Sequence, residues 1–348
     1  MKQTKTDAFR HSATYSDTFR HSAARSDAFR HSATRSDVFR HSATYSDAFR
    51  HSATHSDIPR HSATYSDIRR HSATRSDELP QNTTKFDTHT HTDFSPDGCE
   101  TPRKLIETAI DSGLTHICIT DHTDIMTVGS SGEGVTDLAA YAAAVRALKN
   151  EYADRIYVSV GIECGHTRAN EQKNAALLKD AGIEYVINSV HEVNGSDIYL
   201  DSHYMNRSKR NVYTEYLEAV LQSLYAPYKF AALGHAGYMS RRAPYADNAL
   251  TYSEFPVLTD AVIDRLIKTE TILEINTARG RSASAVLPDP SVLARYYERG
   301  GRLVTLGSDA HRISELCRGF DGARILARGI GFTEFTLIQN DNFKAVRI

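Results

Sequence analysis

Cysteine is scarce in this chain. Its 348 residues include four, Cys99, Cys118, Cys164 and Cys317. They are far apart and form no CxxC pair, so neither a disulfide framework nor a cysteine zinc site is indicated. Reduced thiols in a cytoplasmic protein are the expectation. Long apolar runs are missing too: none reaches the roughly 20 residues that cross a bilayer, and the N-terminus lacks the apolar core of a secretory signal. Nor does one sign of charge dominate. Residues 1–80 hold 13 of the 41 Lys and Arg and 9 of the 43 Asp and Glu, leaving the remainder mildly acidic at 28 against 34. Non-specific nucleic-acid binding is carried by clustered positive charge, which argues against that partner. Mild acidity is also what a carboxylate-rich site neutralised by bound cations produces.

The first 80 residues lack the makings of a core. They are a degenerate ten-residue repeat, RHSATRSDVF and its variants, whose apolar content is mostly single alanines and one Phe or Ile per repeat. That is too little burial to offset the entropy of ordering the chain, and a period of ten matches neither a common solenoid nor a heptad. Residues 1–80 are therefore expected to be a disordered tail, and residues 81–348 the folded domain. A histidine-rich metal tract would also explain a repeat of this kind, but one imidazole every ten residues is sparse for that role. A tail translated from repetitive DNA, through a misplaced start codon, fits better.

From Lys85 onward, short β-branched runs alternate with stretches of helical period, the pattern of a parallel sheet with crossover helices. The strands read as residues 85–89, 114–120, 156–162, 185–189, 230–234, 271–275 and 303–306. The helices between them read as 101–112, 136–150, 171–181, 212–224, 258–268 and 290–299. The first begins with Thr-Pro, an N-cap followed by proline at the first helical position. About seven βα units in one run, with no linker between them, predict a barrel-like single domain.

The stretch FDTHTHTDFSPDG, residues 86–98, organises the rest. Strand side chains alternate faces, so His89 and His91 project to one side, and the following turn can bring Asp97 back over them. Two imidazoles make half a metal site, since zinc takes three or four ligands. The remaining candidates stand at strand ends: His122 in ITDHTD, Glu163 in VGIECGH, His191 in INSVHEV, His235 in LGHAGY, and Asp309 and His311 in TLGSDAH. In a parallel barrel those C-terminal ends converge on the face that carries active sites. Each residue alone has an ordinary explanation as a loop residue or a helix cap. Together, six histidines, two aspartates and a glutamate at one mouth form a costly charge cluster without cations. His116, His166 and His203 do not fit this pattern and are read as structural or surface residues.

HTH with Asp97-Gly98, then TDH, a strand ending in Glu163, SVH, GH and SDAH resemble, in that order, the motifs of the PHP family, the polymerase and histidinol phosphatase superfamily. The resemblance covers residues 85–348. It implies an α/β fold, a distorted seven-stranded TIM-like (β/α)7 barrel, with up to three divalent metal ions. On matching positions, His89, His91, Glu163 and Asp309 would hold one ion, and Glu163, His191 and His235 a second, with Glu163 bridging. Asp97, His122 and His311 would hold the third. Mixed nitrogen and oxygen donors suit zinc, manganese or iron. Such cations acidify water for attack on phosphorus and hold phosphate oxygens in line, so the implied activity is phosphomonoester hydrolysis with no serine or cysteine nucleophile. Asp309, His191 or a bound water would protonate the leaving alkoxide.

Within the family, SVHEVNGSDIY, GHAGYMSRRAPY and LEINTARGR look like the histidinol-phosphatases. That likeness implies L-histidinol phosphate as the small-molecule substrate, in histidine biosynthesis. Phosphate is gripped best by the bidentate arginine fork. The candidates are Arg207, Arg241, Arg242 and Arg279, with Arg241 and Arg242 favoured because they follow His235 closely. Other readings are a PHP phosphoesterase acting on nucleotides, DNA ends or phosphotyrosine, a metal-binding module without turnover, and a repeat tail that is itself the functional part.

Overall fold

The computed structural model describes residues 85–125, 134–278 and 284–348. The repeat tail expected over residues 1–80, with its boundary, lies outside them.

Helix starts follow the caps that the sequence offers. Thr101 accepts a hydrogen bond from the Lys104 amide at the head of α1 (Pro102–Asp111), and Asp137 does the same for Ala140 at α2 (Leu138–Glu151). Ser208 caps α4 (Lys209–Ser223) and Asp289 caps α6 (Pro290–Glu298), each satisfying an amide that has no partner within the helix. The remaining crossover helices are α3 (Glu171–Leu178) and α5 (Pro256–Lys268). Each α2 residue facing the sheet, Leu138, Tyr141, Ala142 and Val145, is buried, at the spacing of one helical face.

The strands are β1 (Phe86–Asp87), β2 (His116–Ile119), β3 (His122–Asp124), β4 (Tyr157–Gly165) and β5 (Tyr185–Ser189). A small hairpin, β6 (Glu192–Val193) and β7 (Ser196–Asp197), follows, then β8 (Ala232–Leu233), β9 (Ile272–Asn276) and β10 (Val304–Gly307). Parallel pairing runs β1-β2-β4-β5-β8-β9-β10, with β3 alongside the far end of β4. The first and last strands then meet. The Thr88 amide donates to Leu306 O at 3.1 Å, the Asp309 amide to His89 O at 2.8 Å and the His91 amide to Ala310 O at 2.8 Å. The result is a nearly closed seven-stranded parallel barrel with helices outside, as expected from the alternation of strands and helices. Because both faces are covered, β2, β5, β9 and β10 are buried at every position.

Two features depart from the sequence reading. Strand β4 runs three residues past the expected end, so Glu163 lies within it and projects into the barrel. At the C-terminus, α7 (Phe320–Ile330) and an antiparallel hairpin of β11 (Glu334–Gln339) and β12 (Asn342–Arg347) were not anticipated. The hairpin turns through Asn340 and Asp341, both at positive φ, the geometry that Asn and Asp tolerate in two-residue turns. Its Ile338 packs on Tyr185, Ala232 and Ile272, the first residues of their strands, so the hairpin covers the barrel end opposite to the strand C-termini. Among the described residues, no helix is long and apolar enough to cross a membrane.

Phe335 of the hairpin is fully buried and meets Phe86 edge to face at 5.7 Å between ring centroids. Phe335→Ala should therefore cost about 3–5 kcal/mol, the usual loss for a buried phenyl ring, measured as a shift in the urea unfolding midpoint.

Candidate metal centre

Glu163 is the hub of the barrel mouth. Its two oxygens face different neighbours. Oε1 lies 2.6 Å from His235 Nε2 and 3.2 Å from His191 Nε2, and accepts from Ser189 Oγ at 2.7 Å. Oε2 lies 2.8 Å from His122 Nδ1, 3.3 Å from His89 Nε2 and 3.6 Å from His91 Nε2. Asp309 closes the same space, its Oδ1 3.2 Å from His91 Nε2 and 3.7 Å from His89 Nε2. Asp97 sits at the rim, more than half exposed, with Oδ2 3.1 Å from His311 Nε2 and Oδ1 3.7 Å from His122 Nε2. All nine candidate ligands of the sequence reading are thus in one cluster.

The local chain explains how the rings are aimed. His89 Nδ1 lies 2.6 Å from Glu274 Oε1 and His191 Nδ1 2.7 Å from Asp124 Oδ2. A carboxylate only accepts, so Nδ1 carries a proton in both, and Nε2 is the nitrogen turned inward. His311 Nδ1 donates to the Asp309 carbonyl at 3.0 Å, and His91 Nδ1 donates to Ser95 Oγ at 3.3 Å. Ser95 is fixed in turn: it accepts from the His122 amide at 3.0 Å and donates to Asp121 at 2.6 Å. Asp121 also takes the Thr92 amide and hydroxyl, at 2.7 and 2.8 Å. The turn after HTH is thereby pinned to the turn before TDH.

This arrangement leaves buried donor atoms without hydrogen bonds: His89 Nε2, His91 Nε2, His122 Nδ1, His311 Nε2 and Glu163 Oε2. Unsatisfied polar atoms are expensive in an interior, and five in one space fit a site for cations. Three-ligand groupings with donor atoms within 4.8 Å of one another include His89/His91/Glu163, Glu163/His191/His235 and His91/His122/His311. The charges agree. Burial favours neutral Glu163, yet the surrounding imidazoles of His89, His191, His122 and His235 hold its carboxyl well below the usual range. Asp309 is likewise held low against its burial by His89 and Arg241. His91 and His235 are pushed down chiefly by burial, which keeps their lone pairs free. Against their burial, His89 is pushed up by Glu274, His122 by Glu163, His191 by Asp124 and His311 by Asp97, so a cation arriving at those rings displaces protons.

Sequence reasoning missed Asp124, Glu274 and Asp121. The signal for the first two was their place, each on a strand within reach of a mouth histidine; a lone acid inside a buried strand needs a partner. The arginines divide. Arg241 is buried, its Nη1 donating to Asp309 Oδ2 at 2.8 Å and Nη2 to Asn276 Oδ1 at 2.6 Å, with Nε unpaired. Arg242 is held elsewhere: Nε donates to Tyr199 O at 3.1 Å, and the guanidinium lies 4.3 Å from the Tyr199 ring centroid. Arg207 pairs with Glu215 at 2.6 Å. Arg279 lies outside the described residues. Of the histidines set aside, His166 lies near Glu171, His203 near Arg207, and His116 is buried against Ser159.

A family model described as PHP domain matches residues 87–278. The histidinol-phosphatase of Lactococcus lactis subsp. lactis is 30% identical over 251 residues, spanning 72% of this chain and 93% of that protein. A protein of Clostridium acetobutylicum, named a probable histidinol-phosphatase, is 32% identical over 245 residues, 70% of this chain and 92% of that one. Among solved structures, histidinol phosphate phosphatase from Lactococcus lactis, complexed with zinc, L-histidinol and phosphate, matches with a TM-score of 0.68 and 27% identity, covering 76% of this chain and all of the other. A chain from Listeria monocytogenes matches with a TM-score of 0.60 at 20% identity, which speaks for the fold alone.

His116 offers a check on the barrel that is independent of the mouth. Burial pushes its pKa down to about 3 from an ordinary value of 6.5. The unfolded chain takes up this proton below pH 6.5 while the folded chain refuses it, so stability present at neutral pH is lost as pH falls toward 3. Between pH 7 and pH 5 the wild type should lose about 2 kcal/mol more than His116→Gln, read from urea unfolding at the two pH values.

Proposed function

The chain belongs to the PHP domain family, and from that membership we propose that it is a metal-dependent phosphomonoesterase hydrolysing L-histidinol phosphate to L-histidinol and phosphate, a step of histidine biosynthesis. One observation carries the reading: the ring of buried imidazole nitrogens without hydrogen bonds around Glu163 and Asp309. The relative that holds zinc, L-histidinol and phosphate supports the substrate, since this chain spans its full length. The catalytic unit is residues 81–348, and the free cysteines suit a cytoplasmic location.

In this reading His89, His91, Glu163 and Asp309 hold one ion, Glu163, His191 and His235 a second, and Asp97, His122 and His311 a third. The split of Glu163, with one oxygen toward His191 and His235 and the other toward His89, His91 and His122, suits a bridging ligand. Bound zinc, manganese or iron would supply Lewis acidity, acidifying water and neutralising the negative charge on the phosphoryl oxygens. The protein's part is orientation. Glu163 and Asp309 stay ionised, and the tethered Nδ1 atoms keep Nε2 turned inward. Arg241, anchored at both terminal nitrogens beside Asp309, presents positive charge to a phosphate oxygen more directly than Arg242, whose charge is engaged by Tyr199. With Asp309 ionised and His191 Nδ1 held by Asp124, a water in the mouth is left to return the proton to the leaving alkoxide.

Phosphate release should be measured with the purified chain, with manganese or zinc, from L-histidinol phosphate beside nucleotides and sugar phosphates. Preference for histidinol phosphate, lost on chelation and restored by metal, is expected. Equal or faster release from another substrate would move the chain to a different phosphoester. His235→Ala and Asp309→Ala should each abolish turnover with circular dichroism unchanged, and wild-type rates in either would refute the assignment.

A further inference from the structure

We propose that Glu274 is a positioning residue that aligns ligands of two metal ions at once; the proposal rests on the metal reading above. Glu274 lies at the centre of β9 between Leu273 and Ile275, and is 1% exposed. An acid so deeply buried must be paired. Its two oxygens have separate tasks. Oε1 lies 2.6 Å from His89 Nδ1, and Oε2 accepts the His235 backbone amide at 2.5 Å. His89 and His235 approach different oxygens of Glu163, Oε2 at 3.3 Å and Oε1 at 2.6 Å respectively.

The bond to His89 fixes a ring. With a proton held on Nδ1, Nε2 is the nitrogen aimed at the gap bounded by Glu163 Oε2 at 3.3 Å and Asp309 Oδ1 at 3.7 Å. A carboxylate behind an imidazole also makes that imidazole a stronger donor. The bond to His235 fixes a main chain. It holds the residue two positions after β8 (Ala232–Leu233), one step beyond the backbone bond from the Gly234 amide to Asn188 O at 3.0 Å.

The barrel makes room for this carboxylate. On neighbouring β10, a Cβ at Gly307 would stand 2.0 Å from Glu274 Oε1 and 2.7 Å from His89 Cβ, so only glycine fits beside the pair. Asp124 behind His191 is a related device, its Oδ2 2.7 Å from His191 Nδ1 and 3.8 Å from His122 Nδ1. Glu274 differs in giving one oxygen to a ring and the other to a main-chain amide.

Glu274→Gln tests this without changing volume. The amide has one acceptor oxygen, so it cannot serve the His89 ring and the His235 amide together. The metal-free proteins should have matching circular dichroism, while competition with a chelator should show zinc bound about 10–100-fold more weakly in the variant. Turnover of the variant should recover as zinc is raised, and Glu274→Asp, which keeps the charge but is one methylene shorter, should also bind zinc more weakly than wild type. Unchanged zinc affinity in Glu274→Gln would overturn the proposal. So would a lower unfolding temperature of the metal-free variant with affinity intact, which would make Glu274 a plain structural support. If the wild type itself retained no zinc or manganese, the metal reading would fail first, and that is read without any variant.

Discussion

A carboxylate shut away from water and ringed by imidazoles is the constraint on which this barrel depends. Burying one ion costs several kcal/mol even after relaxation, and Glu163 is fully buried beside Asp309 and Glu274, all within a few ångströms of the same histidine rings. Such a concentration is tolerable only where positive charge answers it. Arg241 provides one fixed charge, and the inward nitrogens are the places proposed for cations. The strand order follows the same need: parallel strands bring all their C-terminal ends to one face, so four other stretches of chain deliver His89 and His91, His122, Ser189 and His191, and His235 to Glu163.

Around this hub lies a second layer whose members do not meet the central space themselves. Asp121 with Thr92 and Ser95, Asp124 with His191, and Glu274 with His89 each hold a ligand in one orientation. Asp87 acts on the seam. It takes the Ser308 amide at 3.0 Å and the Cys317 amide at 3.1 Å, tying down both ends of the loop that carries Asp309 and His311. Asp309 itself sits at a φ of 54°, a left-handed conformation that costs most residues energy and that Asp bears better than most. The backbone bond to His89 O and the Arg241 contact maintain it. A site of this kind stores its precision in the layer behind the ligands.

The barrel was largely legible because its signals are local. Alternation in HTH places two rings on one face, Thr-Pro starts a helix, and runs such as YVINS announce buried strands. The nine clustered residues could be named from their positions at strand ends. Glu274 and Asp124 offered only the hint of an acid inside a buried strand, because the partners that give them their roles lie some 185 and 67 positions away. Arg241 and Arg242 look alike in sequence, and only the loop that leaves the first buried beside Asp309 and turns the second onto Tyr199 separates them. The closing hairpin was missed although its Asn-Asp turn was visible, since strands β11 and β12 follow a barrel already complete in count.

Anomalous diffraction from crystals of the zinc- or manganese-loaded chain, recorded at the metal's absorption edge, tests the central claim most directly. The account predicts peaks on both sides of the Glu163 carboxylate, at about 2.0–2.3 Å from His89 Nε2 and His235 Nε2. A mouth without such peaks at saturating metal, with the same imidazoles hydrogen-bonded only to one another and to water, would contradict it.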